Sequence, residues 1–264
     1  MDDFIGTHKE KHEFALYIES LSLLVQKKGP GSVLVFSDEK LFHRMATVLR
    51  LCIDDSIVFF DREIFVKATI TAFVSKKQIH VTIQSIQSTT VFHPEITFLL
   101  PVLKRDDLET ALYALVEVGV NAIQLVFTRK TGNQWSGSRN SERIQRIIIA
   151  AAEQSKNFAY PQVKAPIPLE VALKDYSGAQ YTKKLFFDPA GKKFFDVIQT
   201  LHGDKPERVV LFVGPEGDLS LEEKKMVQAH NFIFCALTPT IMRAAQAAAL
   251  AAGFVRSLLV SASF

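Results

Sequence analysis

The residues best suited to a small-molecule site fall in three short segments of the C-terminal half. The first is VVLFVGPEGDLSLEE, residues Val209 to Glu223. An apolar run of strand character enters Gly214-Pro215-Glu216-Gly217, and a helix is expected from Ser220. Ser220 and Glu223 have capping-box spacing, in which hydroxyl and carboxylate satisfy each other's backbone donors. Glycines flanking a proline permit a tight turn whose backbone comes close to a ligand. Such a turn at the carboxyl end of a parallel strand lies where open α/β sheets bind ligands. The second segment, Leu237-Thr238-Pro239-Thr240, leads to a helix bearing Arg243, with Pro239 suited to a helix start. The third is Phe186-Phe187-Asp188-Pro189-Ala190-Gly191. Three neighbouring strand-end loops of this kind could wrap one small molecule; three plain strand–helix corners would have the same composition.

A different chemistry is concentrated in residues 129–164. They hold seven Lys and Arg (Arg129, Lys130, Arg139, Arg143, Arg146, Lys156, Lys164) against Glu142 and Glu153, a net +5, whereas residues 1–92 carry eleven of each sign. A basic block in an otherwise balanced chain is the footprint of a polyanion partner, or else a solvated helix face. Arg139, Arg143 and Arg146 stand at i, i+4 and i+7, on one helix face. Gln154, in Glu153-Gln154-Ser155 at the helix end, offers polar groups to a base or ribose. Trp135, the single tryptophan, sits in the polar loop TGNQWSGS and could stack on a base. In the N-terminal half the basic stretch LFHRMATVLR brings His43, Arg44 and Arg50 to the same chemistry.

Other machinery is missing. The chain has no G-x-x-x-x-G-K-[ST], no G-x-G-x-x-G after a strand and no G-x-S-x-G, which argues against P-loop, dinucleotide-binding and nucleophile-elbow enzymes. His8 and His12 lie four apart on a polar terminus without a third ligand nearby, so no metal site is expected. Cys52 and Cys235 sit far apart in apolar runs and read as small core residues. With no signal peptide in the acidic start MDDFIG, a reducing cytoplasm is expected. The most apolar stretch, Ala244 to Val255, is too short to span a bilayer, so no membrane partner is expected.

These groups need a scaffold. With 48% hydrophobic and 22% charged residues over 264 positions, the chain is that of a soluble globular protein of one large or two small domains. From Ser32 to Ile86, short runs (SVLVFS, SIVFFD, EIFVKATITAFV, QIHVTIQSI) alternate with charged turns, interrupted by a helix over Asp38 to Leu51, which predicts a small β-barrel. After His93-Pro94 apolar strands alternate with helices: ITFLLPV, AIQLVFT, KKLFFD, RVVLFVG and FIFCAL, the last followed by a helix from about Ile241 to Val260. That order predicts a parallel sheet covered on both faces, and a division into residues 1–92 and 93–264. The final helix, IMRAAQAAALAAGFVRSLLV, is apolar almost all round; it should be buried on most sides and could pack against a second copy.

In this order, the HRMATVLRL–DD–IVFFD stretch, the EQS of AAAEQSKNFAYP, GPEG after a buried strand and IMR after the last loop resemble the ribosomal RNA small subunit methyltransferase E family of the SPOUT class. The resemblance runs from about His43 to Arg243. It implies a PUA-like barrel before an α/β domain with a trefoil knot, and S-adenosyl-L-methionine as cofactor. It also implies methylation of N3 of a uridine in 16S rRNA of the small ribosomal subunit, and a homodimer. Carried over by position, cofactor contacts fall on Phe187, Asp188, Pro189, Val213, Gly214, Pro215, Glu216, Gly217, Leu237, Thr238, Pro239, Ile241 and Met242, and Arg243 matches the motif's arginine.

The chain departs from the family pattern at several positions. Asp218 stands where the family has the second glycine of GPEGG, Thr238 where it has glycine, and Ala244 and Ala245 where threonine and glutamate follow the arginine. Ala114 and Asn157 replace a lysine and an arginine. In the expected reaction Arg243 stabilises the uracil anion, while Glu216 accepts a proton or holds the turn. A ribose 2′-O-methyltransferase and a non-catalytic RNA-binding assembly factor are the alternatives.

Overall fold

A computed structural model describes residues 13–131, 135, 137–178, 183–204 and 206–259; His8 and His12 lie outside them. The chain divides into two compact units, Met1–Thr89 and Thr90–Phe264. The division falls three residues before the expected one because Phe92 already belongs to the second unit. Its carbonyl accepts from Asn121 Nδ2 at 3.0 Å, and its ring lies 5.6 Å from the Arg256 guanidinium.

In the first unit five strands form one sheet: β1 (Phe14–Tyr17), β2 (Val33–Ser37), β3 (Ser56–Phe60), β4 (Ile64–Ser75) and β5 (Gln78–Ser88), in the order β1-β3-β4-β5-β2. Only β1 and β3 pair in parallel. Period-two patterning buries Val66, Ala68 and Ile70 of β4 with Ile79, Val81 and Ile83 of β5 against Leu34 and Phe36 of β2. Among the described residues no ladder joins β1 to β2. The helix expected over Asp38 to Leu51 is a short α2 (Glu39–Phe42), capped by the Asp38 carboxylate, that continues as a π-helical turn (His43–Val48). The sequence pattern missed β1 and α1 (Leu21–Val25). Both are too short to show a period.

The second unit is α/β. Six parallel strands are ordered β11-β9-β10-β6-β7-β8: β6 (Glu95–Pro101), β7 (Ala122–Phe127), β8 (Gln162–Pro168), β9 (Lys183–Lys193), β10 (Arg208–Val213) and β11 (Ile233–Ala236). Each central strand is apolar along its length because both faces are covered. Val210 and Phe212 of β10 pack beneath α5 (Leu169–Asp175) and α7 (Leu221–Ala229), in a core with Leu173, Leu219 and Val227. On the other face lie α3 (Arg105–Glu117), α4 (Ser138–Ser155), α6 (Phe194–Asp204) and α8 (Ala244–Leu259). β8 and α5 were absent from the sequence reading, since Pro166 and Pro168 in QVKAPIP resemble a loop.

The final helix differs from expectation in its start and in its burial. The final helix begins at Ala244 rather than Ile241, leaving Leu237–Arg243 as open loop. Only one stripe of α8 is buried, chiefly alanines (Ala244, Ala245, Ala248, Ala251, Ala252), while Phe254 and Leu258 stay exposed. No helix among the described residues is long and apolar enough to cross a membrane.

Arg256 ties α8 to the sheet. Its Nη1 donates to Pro94 O at 2.8 Å, and its Nη2 to Gly119 O and Asn121 Oδ1, each at 2.7 Å. Burial pulls its pKa down to about 10, leaving it cationic at neutral pH. Arg256→Met would take this donor from the buried Pro94 and Gly119 carbonyls, so unfolding free energy in urea should fall by on the order of 3 kcal/mol, with an unchanged denaturant slope.

Candidate functional site

β9 pairs with β10 through Lys183–Phe187 and with β11 through Leu185, Phe186, Lys192 and Lys193. Phe186 and Lys192 thus lie opposite the adjacent residues Phe234 and Cys235, so Phe187–Gly191 must bulge out of the ladder. The segment read from sequence as a strand-end loop is therefore an interruption inside one long strand. Gly191 closes it: a Cβ there would lie 2.4 Å from the Cys235 nitrogen and 2.5 Å from the Phe234 carbonyl carbon. Asp188 shapes the bulge by accepting from the Ala190 backbone at 2.8 Å.

Beside the bulge, β10 ends in the Gly214–Gly217 turn. Asp218 N donates to Pro215 O at 2.9 Å, and Ser220 and Glu223 form the expected capping box at the start of α7. Asp218 sits in the left-handed region at φ 59°, a conformation that suits glycine, and asparagine or aspartate better than most other residues. Its Oδ1 accepts from Leu219 N at 2.7 Å and its Oδ2 pairs with Lys224 at 2.7 Å. An aspartate can therefore replace the family's glycine here.

The three segments meet around one cavity of about 550 Å³. Its wall takes Phe187, Asp188 and Pro189 from the bulge, Val213 to Asp218 from the turn, and Leu237, Thr238, Thr240, Ile241, Met242 and Arg243 from the last loop, with Ala244 and Ala247 of α8. All of the cofactor contacts named from sequence line it except Pro239, while Phe186, Ala190 and Gly191 of the third segment lie outside the lining. The last loop is braced by Thr238 Oγ1 donating to Thr240 O at 2.7 Å. Arg243 is exposed at the threshold of α8, its carbonyl accepting from Ala247 N at 2.9 Å. Ala245 is 1% exposed, so the glutamate it replaces would have no space without rearrangement.

A second cavity of about 860 Å³ shares Glu216 and Gly217 with the first. Arg139, Arg143 and Arg146 of α4 line it with Lys104, Arg105 and Lys130, and Glu109 and Glu142 contribute the opposing charge. Arg143 Nε is paired with Glu109, and Arg105 Nε lies 3.5 Å from the same oxygen. Arg129 sits outside this lining, bonded instead to Glu222 at 2.9 Å. Gln154 is exposed at the far end of α4, Trp135 is half-buried, and neither lines the cavity. His43, Arg44 and Arg50 are exposed in the first unit. Asn157 is buried, its Nδ2 donating to Val116 O at 2.8 Å, so this departure caps α3 rather than facing a ligand.

Of the side chains that hold these walls, sequence reasoning named Glu216 but missed Lys224. Glu216 Oε1 accepts from Lys104 N at 3.2 Å, which docks the turn on the start of α3. Lys224 bridges Asp188 Oδ2 at 2.6 Å and Asp218 Oδ2 at 2.7 Å, joining the bulge to the turn. No spacing rule links residues 188, 218 and 224. Burial pulls the Lys224 pKa down, but hydrogen bonds and charge from the two aspartates outweigh it and hold it above the ordinary lysine value. At the other extreme, burial pushes the Cys235 thiol up to about 12, as befits an inert core residue.

Lys224→Met should lower unfolding free energy by on the order of 3 kcal/mol, because Asp188, 4% exposed, would keep a buried charge without its partner. A raised folded-state pKa on a cation stabilises fully below the unfolded value of roughly 10.4 and is lost as pH rises above it. The gap between wild type and variant, followed by urea unfolding, should therefore stay level from neutral pH upward and shrink only in strong alkali.

Comparison with known proteins agrees with this geometry. A family model described as an RNA methyltransferase domain matches residues 92–256. Ribosomal RNA small subunit methyltransferase E of Rickettsia conorii is 24% identical over 82% of this chain and 86% of its own. The protein of the same name from Mycobacterium bovis is 23% identical over 85% and 86%. A crystal structure of ribosomal RNA small subunit methyltransferase E from Neisseria gonorrhoeae, bound to S-adenosyl methionine, superposes with a TM-score of 0.79 at 23% identity, covering 96% of this chain and 100% of that one. The chain belongs to the RNA methyltransferase domain family.

Proposed function

We propose that this protein transfers a methyl group from S-adenosyl-L-methionine to N3 of a uridine in 16S rRNA of the small ribosomal subunit. The observation that carries the reading is the pair of cavities with a common wall at Glu216 and Gly217, one lined by apolar loops and the other by arginines and lysines. The first cavity has the size of a small-molecule site. Its apolar walls (Phe187, Val213, Leu237, Ile241, Met242) suit an adenine ring, and its loop backbones and the Thr238 and Asp188 side chains suit a ribose and an amino-acid tail. When bound, the cofactor supplies a methyl group already activated on a sulfonium.

The chain's own groups then have to align the acceptor and manage its charge. A neutral uracil N3 is a poor nucleophile, and its proton must leave before attack. Arg243, which lines the cofactor cavity at the start of α8, stabilises the resulting anion at a carbonyl oxygen. Glu216, the carboxylate common to both cavities, accepts the proton, while its bond to Lys104 N holds the turn. Arg139, Arg143, Arg146, Arg129, Gln154 and Trp135 form the RNA-facing side of the 93–264 domain. His43, Arg44 and Arg50 do so for a PUA-like barrel over 1–92.

A trefoil knot of the SPOUT type is supported by the insertion of β10 between β6 and β9 and by the contact of Gly191 with β11. A homodimer in the cytoplasm completes the reading. Exposed Phe254 and Leu258 on α8, Phe195 on α6, and Ile241 beside the cavity supply an apolar surface for a second copy.

Labelled methyl transfer to small subunits lacking the modification, followed by nucleoside analysis, tests the reading. The expected product is 3-methyluridine. A 2′-O-methyl nucleoside would move the assignment to ribose methylation, and RNA binding without cofactor affinity would make the protein a non-catalytic factor. Arg243→Ala should lower kcat about a hundredfold, the scale of losing one anion-stabilising donor. Glu216→Gln keeps an acceptor for Lys104 N. A rate near wild type in that variant, with a loss only in Glu216→Ala, would reduce Glu216 to a structural role.

A further inference from the structure

The wall between the two cavities is held by a side chain from the basic block. Lys130 follows β7 and lines the larger cavity, yet its Nζ donates to the Gly217 carbonyl at 2.6 Å. Its stem lies along the same residue: a Cβ on Gly217 would fall 3.3 Å from Lys130 Cδ and 3.4 Å from its Cβ. The root of the lysine is fixed as well. Arg129 N donates to Glu223 Oε1 at 2.8 Å, and the other oxygen of that buried carboxylate accepts from Ser220 N at 2.8 Å in the cap of α7. One strap, Arg129–Lys130, is thus anchored on the helix that follows the turn and reaches back to the turn itself.

We infer that Lys130 is a positioning residue for the cofactor turn rather than a contact to RNA phosphate. An ammonium donating to a carbonyl belongs to the stronger class of hydrogen bonds. Here it sets the orientation of the Gly217–Asp218 peptide, in the turn that separates donor from acceptor. Arg139 and Arg146 differ, since among the described residues neither has a carboxylate partner. Arg146 Nε makes only a long 3.4 Å bond within its own helix, to Glu142 O, whereas Lys130 reaches a backbone oxygen of the cofactor turn. The inference rests on the assignment of the smaller cavity to S-adenosylmethionine.

Two measurements separate the roles: calorimetric titration with S-adenosylmethionine, and affinity for a small-subunit rRNA fragment over a series of salt concentrations. A phosphate contact contributes about 0.7–0.9 to the slope of log affinity against log salt. Lys130→Met should weaken cofactor binding about tenfold and leave the RNA salt slope unchanged. Lys130→Arg, which still carries a charged donor, should restore most of the affinity, and Lys130→Gln should fall between. Arg146→Gln, as the contrast, should lower the slope by about one contact. A wild-type protein that does not bind the cofactor would overturn the functional reading on which this rests. Wild-type binding with the same affinity in Lys130→Met would overturn the inference alone. So would a lowered salt slope with unchanged cofactor affinity, which would return Lys130 to the phosphate surface.

Discussion

The constraint on which the site depends is the position of β10 between β6 and β9. It sets the carboxyl ends of β9, β10 and β11 side by side, so three segments separated by up to about fifty residues of chain can surround one ligand-sized space. It also forces β9 to serve two neighbours at once. Because β11 takes up Phe186 and then Lys192 without a gap of its own, the five residues between them have to leave the ladder. The bulge carrying Asp188 and Pro189 is the direct result, and the absence of a side chain on Gly191 permits it.

Charge is divided between two tasks. Part of it holds backbone in place: Lys224 between two aspartates, Lys130 on a carbonyl, Glu216 on the first turn of α3, and Arg256 on three acceptors beneath α8. The remainder, chiefly Arg139 and Arg146, faces open space in the second cavity. The two groups are indistinguishable in composition. A net charge of +5 over residues 129–164 states how much positive charge is present, not how much of it is committed internally.

Several features were legible in the residues. Apolar strands alternating with helices after His93 gave a parallel sheet, and the Ser220–Glu223 spacing gave a capping box; both are local rules that tertiary contacts leave intact. The cavity lining was legible for a different reason: ligand sites in parallel sheets form at strand ends, and strand ends can be located from patterning alone. Elsewhere local rules misled. Pro239 suggested a helix start, yet the chain stays open as far as Arg243 in order to wall the cavity. The apolar character of α8 almost all round suggested burial on most sides, whereas only one stripe, chiefly alanines, faces inward.

By itself, then, the sequence determined the class of the second unit, the strand ends where a ligand would sit, and the helix that would carry basic residues. These follow from periodicity, capping and turn chemistry, which act over fewer than about twenty residues. Tertiary structure decided which strand lies beside which, that Phe187–Gly191 bulges, and that Lys224 and Lys130 brace the turn while Arg146 does not. Each of these depends on partners between six and about ninety positions apart in the chain, and no local propensity encodes such a pairing.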